Sequence, residues 1–330
     1  MLLHLINYKD PSRGGAQKVL SALVSAVPAD VRCLADSKYG NKLMQLLHIY
    51  WQVFCLRHQL TSVVIHSRMY LPLIPLLKLA GVKTVYYLHA MYRSKPWLMT
   101  LFKADAYVAV SKSSKDYLIK RGIAPSRIEV IANPLLNTQH HAIEKCQSTE
   151  SNVHVFSVGA LEKWKGFDWA IKALGQWAKT DNIAINYTVI GAGSEQKILE
   201  MCAKNHQGDG LTVKFLGKLD DPFANVTNIG IQLIPSFEEG FGLVAIEGIY
   251  HGKSLIYRKI PALSECCEND DLSYGFDDPY QMVQMIKEAV QDRCLINDLS
   301  VYKQRKKLVE LSYGYGKFKQ RVEQILSKIQ

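Results

Sequence analysis

The sequence predicts an α/β fold built as two doubly wound domains in tandem. Short apolar runs alternate with helical patterns along both halves of the 330-residue chain. The alternation stops once, in the polar stretch 137–153, and then restarts. Several runs end in glycine just before a helical pattern, which is how strand-to-helix turns look in a parallel sheet covered on both faces.

In the first half, strands are expected at residues 2–7, 61–66, 84–90, 106–111 and 128–133. Helices are expected near 15–26, 41–59, 71–80, 95–103 and 112–121. The polar stretch 137–153 reads as an interdomain linker, which sets the domains at 1–145 and 146–330. The second half repeats the pattern, with strands at 153–159, 185–191, 211–217, 229–235 and 253–258. Its helices fit 167–178, 194–205, 243–251 and 279–292, and a last one runs from about 316 to 329.

Composition narrows the function classes. Hydrophobic residues make up 48% of the chain, enough for two cores and unlike a disordered or fibrous protein. The seven cysteines are scattered with no C-x-x-C pair, so they read as free thiols of a reducing compartment. The amino terminus lacks the basic region of a signal peptide, and no apolar run reaches the roughly 18 residues of a membrane span. The charge is lopsided: residues 1–145 hold 19 Lys/Arg against 7 Asp/Glu, and residues 146–330 hold 21 against 23. An anionic membrane surface or a nucleic acid could each match the basic half. No nucleic-acid recognition motif accompanies it, and the acidic second half argues against that partner.

Four glycine-bearing turns are candidates for ligand contact. Gly14 and Gly15 follow the first strand, where paired glycines allow close backbone approach and the next helix offers N–H groups to an anion. Lys163 and Lys165 sit in "GALEKWKGFD", before an amphipathic helix. "VIGAGSEQ" begins like a dinucleotide fingerprint, but Gln196 stands where the third glycine would fall, so a dehydrogenase is a poor reading. In "SFEEGFGLVAIEG", Glu239 and Glu247 flank a Gly-Phe-Gly turn that opens a helix. An anion at that helix start repels both carboxylates, so the acids are expected to bind hydroxyls instead. His89 lies at the carboxyl end of a first-half strand; such a histidine is commonly structural. No D-x-D motif or His/Asp/Glu cluster suggests a metal.

Taken together, these segments resemble retaining glycosyltransferase family 4. "PSFEEGFGLVAIEG" matches its E-x7-E signature, "VGALEKWKGFD" its phosphate loop, and "VIGAGSE" and "VKFLGKL" the next two strands. Residues 104–135 and "SRGGAQ" are similar to segments of its amino domain. The resemblance implies the GT-B fold, with two Rossmann-like doubly wound domains facing a cleft, the last helix packing back on the first. It implies no cofactor; the donor substrate would be a UDP-sugar, or a GDP-sugar next. Glu247 would bind the ribose, and Glu239 the transferred sugar. The N–H groups of Phe241, Gly242 and Leu243 would meet the diphosphate, with Lys165 countering its charge and Lys163 beside it. Gly14 and Gly15 would approach the donor phosphate, His89 would sit by the sugar, and the base would lie near Gly217, Lys218 and Leu219.

One position departs from that pattern. The family usually has arginine where this chain has Ala160, which raises the alternative of a non-catalytic partner subunit with a degenerate donor site. The family also implies a glycan or glycolipid acceptor held at the cytoplasmic face of the inner membrane. Residues 91–104, with Arg93, Lys95, Trp97 and Lys103, and residues 39–60 suit an interfacial helix on anionic lipid.

Overall fold

The computed structural model describes residues 1–11, 14–37, 39–91, 96–136, 138–139, 144–206, 208 and 210–329. The chain divides into two compact units, Met1–Leu136 with Tyr313–Gln330, and Asn137–Ser312.

The first unit is a six-stranded sheet of β1 (Leu2–Ile6), β2 (Asp30–Cys33), β3 (Ser62–Ile65), β4 (Lys83–Leu88), β5 (Ala106–Ala109) and β6 (Ile128–Val130). All pairings are parallel, in the order β2-β1-β3-β4-β5-β6. Its helices are α1 (Gly15–Ala26), α2 (Lys42–Leu56), α3 (Ile74–Leu79), α4 (Trp97–Leu101) and α5 (Lys112–Ile119). β1 and β3 are buried on both faces, as their unbroken apolar character requires of strands covered by helices.

The second unit holds β7 (Asn152–Val158), β8 (Ala184–Ile190), β9 (Leu211–Gly217), β10 (Ile231–Ile234), β11 (Ser254–Arg258) and β12 (Ser273–Phe276), again all parallel. The order is β12-β11-β10-β7-β8-β9. Its helices are α6 (Phe167–Asp181), α7 (Gln196–Lys204), α8 (Leu243–Tyr250), α9 (Pro261–Cys267), α10 (Pro279–Gln291), α11 (Arg293–Ile296) and α12 (Leu299–Tyr313). From β7 the chain winds outward through β8 and β9, then restarts beside β7 with β10 and winds the other way. The winding direction therefore reverses between β7 and β10, where open α/β sheets bind ligands beyond the carboxyl ends of their strands. In the first unit the equivalent reversal lies between β1 and β3. Helix α13 (Tyr315–Ile329) belongs to the first unit, where it packs on α1 and Tyr315 Oη donates to the Ala22 carbonyl at 3.5 Å.

Strands β2 and β12 and helices α9, α11 and α12 were not expected from the sequence. β2 and β12 are edge strands whose polar or glycine-bearing sequences, DVRC and SYGF, hide the apolar signal. α12 is polar on most sides and buries only Arg305 and Val309, with Val301 packed against the core. Buried Arg305 donates Nε to Asp270 Oδ1 at 2.6 Å and Nη2 to Asp270 Oδ2 at 2.8 Å and to the Lys253 carbonyl at 2.7 Å.

Candidate functional site

The carboxyl ends of β7 and β10 carry two loops that lock together. Gly166 ends the first loop with φ 69° and caps α6. A Cβ on Gly166 would stand 2.4 Å from the Pro235 carbonyl, so only glycine lets the loop lie against the end of β10. The Phe237 N–H then donates to the Trp164 carbonyl at 2.8 Å. This register brings Lys165 from one loop to Glu239 from the other, and Lys165 Nζ donates to Glu239 Oε1 at 2.6 Å. Both side chains are largely shielded from solvent, 16% and 13% exposed. Lys163, two residues earlier, is exposed.

Helix α8 begins directly beyond Glu239. Gly242 caps it with φ 112°, a left-handed conformation that glycine adopts without strain, and a Cβ there would stand 2.9 Å from Leu263 Cδ2. Phe241 is buried beneath the turn, and its carbonyl accepts from the Cys266 thiol at 3.3 Å. The first N–H groups of a helix have no partner within it, and the helix dipole adds partial positive charge there. Leu243 therefore opens an anion-accepting end. Glu247 lies one turn further along α8, four residues after Leu243 and so on the same side of the helix. Gly248 lets this helix press onto β10, because a Cβ there would stand 2.0 Å from Gln232 Oε1.

The glycines of "VIGAG" have a different task. A Cβ on Gly191 would stand 1.8 Å from the Gly159 carbonyl, and one on Gly193 would stand 2.3 Å from the Leu161 carbonyl. Backbone bonds from Leu161 to Ala192 at 3.0 Å and from Glu195 to Leu161 at 2.9 Å join the same two loops. These glycines pack loop on loop at the carboxyl ends of β7 and β8. Gly217 closes β9 with φ 69° and accepts from the Gly191 N–H at 2.8 Å. Next to it Lys218 is exposed, while Leu219 packs against Phe156, Ile190 and Phe223. Ala160 is exposed in the loop after β7.

Arg258 is a cation at this edge with no precedent in the sequence reading. It leaves the carboxyl end of β11, and its guanidinium lies 4.1 Å from the Trp169 ring centre and 4.2 Å from that of Phe237. Its Nε donates to the Pro235 carbonyl at 3.2 Å. The side chain braces the end of β10 from behind. Its signal was a lone arginine closing an apolar strand, beside aromatic residues that only the fold brings near.

In the first unit, Gly14 caps α1 and Gly15 is its first residue, at the end of the connection from β1. His89 follows β4 and joins a row of three imidazoles. His4 Nδ1 and His66 Nε2 are 2.8 Å apart, as are His66 Nδ1 and His89 Nε2. Burial pushes His4 down to about 4 and His89 down to about 3, and it holds His66 well below the ordinary histidine value. All three are neutral near pH 7, so His89 is a neutral hydrogen-bonding group there. His4 and His66 were missed in the sequence; the signal was a histidine in each of three neighbouring strands or at its end. Trp97 opens α4 and is 55% exposed, and Lys103 just beyond α4 is exposed. Arg93 and Lys95 lie outside the described residues, as do two of the residues in "SRGGAQ".

Among the described residues no helix is long and apolar enough to cross a membrane. No group of three or more His, Cys, Asp or Glu side chains among them is arranged to hold a metal ion.

Residues 152–292 match the family Glycosyl transferases group 1, and residues 23–135 match Glycosyltransferase Family 4. The chain is 27% identical over 190 residues to the O-antigen biosynthesis glycosyltransferase WclY of Escherichia coli, covering 58% of this chain and 50% of that protein. It is 28% identical over 176 residues to a glycogen synthase of Mycobacterium tuberculosis, covering 52% and 41%. The chain thus spans about half the length of the curated relatives it matches. Among solved structures, Anabaena HepE in complex with UDP and glucose superposes with a TM-score of 0.77 at 18% identity, covering 99% of both chains. Sucrose-phosphate synthase of Thermosynechococcus elongatus gives 0.76 at 14% identity, covering 99% and 98%. The two parallel six-stranded sheets and these neighbours show the GT-B fold, and the two family matches, over separate stretches of the chain, are both to glycosyltransferase families.

Proposed function

We propose that this chain is a retaining glycosyltransferase of the E-x7-E type. It moves a hexosyl group from a nucleotide sugar, UDP-linked first and GDP-linked next, to a lipid-linked, lipopolysaccharide-type or capsule-type glycan of the bacterial surface. The observation that carries this reading is the Lys165–Glu239 contact of 2.6 Å at the winding reversal of the second sheet, beside the start of α8. The name of the neighbour bound to UDP and glucose, and the O-antigen assignment of the Escherichia coli relative, support it.

The roles follow from charge. Cleaving the bond between sugar and diphosphate leaves positive character on the sugar and negative charge on the leaving group. Lys165 and the N–H groups of Phe241, Gly242 and Leu243 oppose that negative charge, and fixed groups of this kind lower the barrier because they need not reorganise. The step is proposed as metal-independent on that ground. Glu239 takes hydroxyls of the transferred sugar and Glu247 those of the ribose. The base lies along Gly217, Lys218 and Leu219, with Gly14 and Gly15 assigned to a donor phosphate and Lys163 to the outer phosphate field. On the first unit, His89 is assigned a sugar oxygen. Retention proceeds by front-face attack, with a donor phosphate oxygen taking the acceptor's proton.

A peripheral place on an anionic membrane surface, at the cytoplasmic face of the inner membrane, is proposed from α2 and α4. Leu43, Met44, Leu47 and Trp51 are exposed along α2, with Lys42 and Arg57 at its ends. Trp97, Leu101 and Lys103 extend the same character at α4, a mixture suited to the headgroup region.

The test is sugar transfer from a panel of UDP- and GDP-sugars to lipid-linked glycan acceptors, with the anomeric configuration of the product read by NMR. A product of unchanged configuration is expected. Nucleotide-sugar binding without any transfer or hydrolysis would favour the non-catalytic partner that Ala160 raises.

A further inference from the structure

His4, His66 and His89 sit on one face of the first unit's sheet because of strand alternation and register. His4 pairs with Val64 of β3, and Val64 pairs with Val85 of β4. His66 stands two residues beyond Val64, and His89 four beyond Val85, so the three imidazoles climb diagonally toward the carboxyl edge. Their rings stack at 5.1 Å between His4 and His66 and at 5.1 Å between His66 and His89. Tyr87 lies against both upper rings, 5.4 Å from His66 and 4.7 Å from His89.

A neutral imidazole has one N–H and one bare nitrogen. The two hydrogen bonds of the row each consume one N–H, so His66 must donate to one neighbour and accept from the other. The tautomers are therefore coupled along the whole row, and the remaining N–H falls at one end, on His4 Nε2 or on His89 Nδ1. Both end atoms are buried, and neither has a hydrogen-bond partner among the described residues. His4 lies within β1, on the face of Ile6, which packs with Leu20 of α1. An N–H stranded there loses its hydrogen bond to water without a replacement, and buried N–H groups without a partner are rarer than unpaired acceptors. His89 is only partly buried and stands at the carboxyl edge of the sheet, so a ligand oxygen that uncovers its Nδ1 can accept the hydrogen bond, whereas His4 is enclosed within β1.

We propose that His4 and His66 are positioning residues that hold His89 in its Nδ1–H tautomer, so that the edge of the first sheet offers a neutral N–H donor to a ligand oxygen. His4 donates from Nδ1 to His66 Nε2, and His66 donates from Nδ1 to His89 Nε2. All three rings then carry the Nδ1 proton, the reverse of the tautomer that free histidine favours. The assignment of a sugar oxygen as the partner of His89 rests on the transferase reading; the tautomer does not.

The experiment is ¹⁵N NMR of the histidine side chains in the full chain without ligand, where bare and protonated ring nitrogens resonate far apart. The expected spectrum has His4, His66 and His89 all protonated at Nδ1. In His4→Leu the row loses its first donor, and His89 is expected to become a mixture of tautomers. In His4→Asn, whose amide keeps a donor near the Nδ1 position, the Nδ1–H form of His89 is expected to return. Observation of His89 as the Nε2–H tautomer in the unmodified protein would overturn the proposal. So would a His89 tautomer untouched by His4→Leu. A separate titration with a UDP-sugar reports on the transferase reading: absence of binding there, with the predicted tautomers intact, would remove only the sugar partner.

Discussion

Lys165 Nζ and Glu239 Oε1 stand 2.6 Å apart, a shielded ion pair that joins two loops. The cation proposed to meet a diphosphate is thus already engaged by the carboxylate proposed to grip the sugar. A donor must share or displace that contact to bind.

Glu239→Gln tests the exchange. The variant frees Lys165 while keeping a side chain of the same shape. UDP, which has no sugar to lose, is expected to bind at least as tightly as to the unmodified protein. Sugar transfer is expected to fall at least about tenfold, the scale of one hydrogen bond to a charged group. Calorimetric UDP titration and initial rates check the two halves, and weaker UDP binding in the variant would contradict the exchange.

Gly166→Ala is expected to disrupt the site through the backbone. The left-handed conformation at φ 69° costs a residue with a Cβ about 1–2 kcal/mol. The collision with the Pro235 carbonyl adds to that. The melting temperature of the second unit should fall by at least about 3 °C. An unchanged melting curve would mean that the two loops are not locked as described.

Arg305 offers a test of packing away from the site. Arg305→Ala leaves Asp270 buried without its partner, and such breaks cost about 3–5 kcal/mol. The double change Arg305→Met with Asp270→Leu removes both charges and should cost much less. Urea midpoints of the two variants should therefore differ clearly, in that order.

The histidine row makes stability depend on pH. Burial lowers all three imidazoles, to about 4 for His4, about 3 for His89 and well below 6.5 for His66. Below 6.5 the unfolded chain binds protons that the folded one refuses, so unfolding is favoured as pH falls. The contribution of the row is complete above about pH 6.5 and declines from there toward pH 4. Urea midpoints measured between pH 7.5 and 4.5 should fall across that window, and His4→Leu should flatten the curve. A flat profile for the unmodified protein would mean the imidazoles are accessible to protons in the folded state.

The apolar face of α2 predicts lipid binding without a membrane span. Leu47→Asp with Trp51→Ser should reduce sedimentation with anionic vesicles and leave the melting temperature near its original value, because both side chains are exposed. Added salt should weaken what binding remains.

Much of the fold was legible because buried parallel strands announce themselves as apolar runs. Leu2, Leu3, Leu5 and Ile6 in β1 and Ile231, Leu233 and Ile234 in β10 are such cases. The edge strands β2 and β12 were not legible, because DVRC and SYGF carry no apolar run, whereas the edge strands β6 and β9 kept one and were expected. The pair Lys165 and Glu239 could be named from their loops, but not their mutual contact, which depends on Gly166 letting one backbone rest on another. His89 was visible as a histidine at a strand end. His4 and His66 gained meaning only from register, because 62 residues of chain separate two rings that hydrogen-bond.

The central claim is that the second unit binds a nucleotide sugar through Lys165. Calorimetric titration of UDP- and GDP-sugars into the unmodified chain and into Lys165→Ala tests it most directly. At least one nucleotide sugar should bind the unmodified chain, and its affinity should drop roughly 10- to 100-fold in the variant, the weight of hydrogen bonds to a charged group. Failure of every nucleotide and nucleotide sugar to bind, or equal binding by Lys165→Ala, would contradict it.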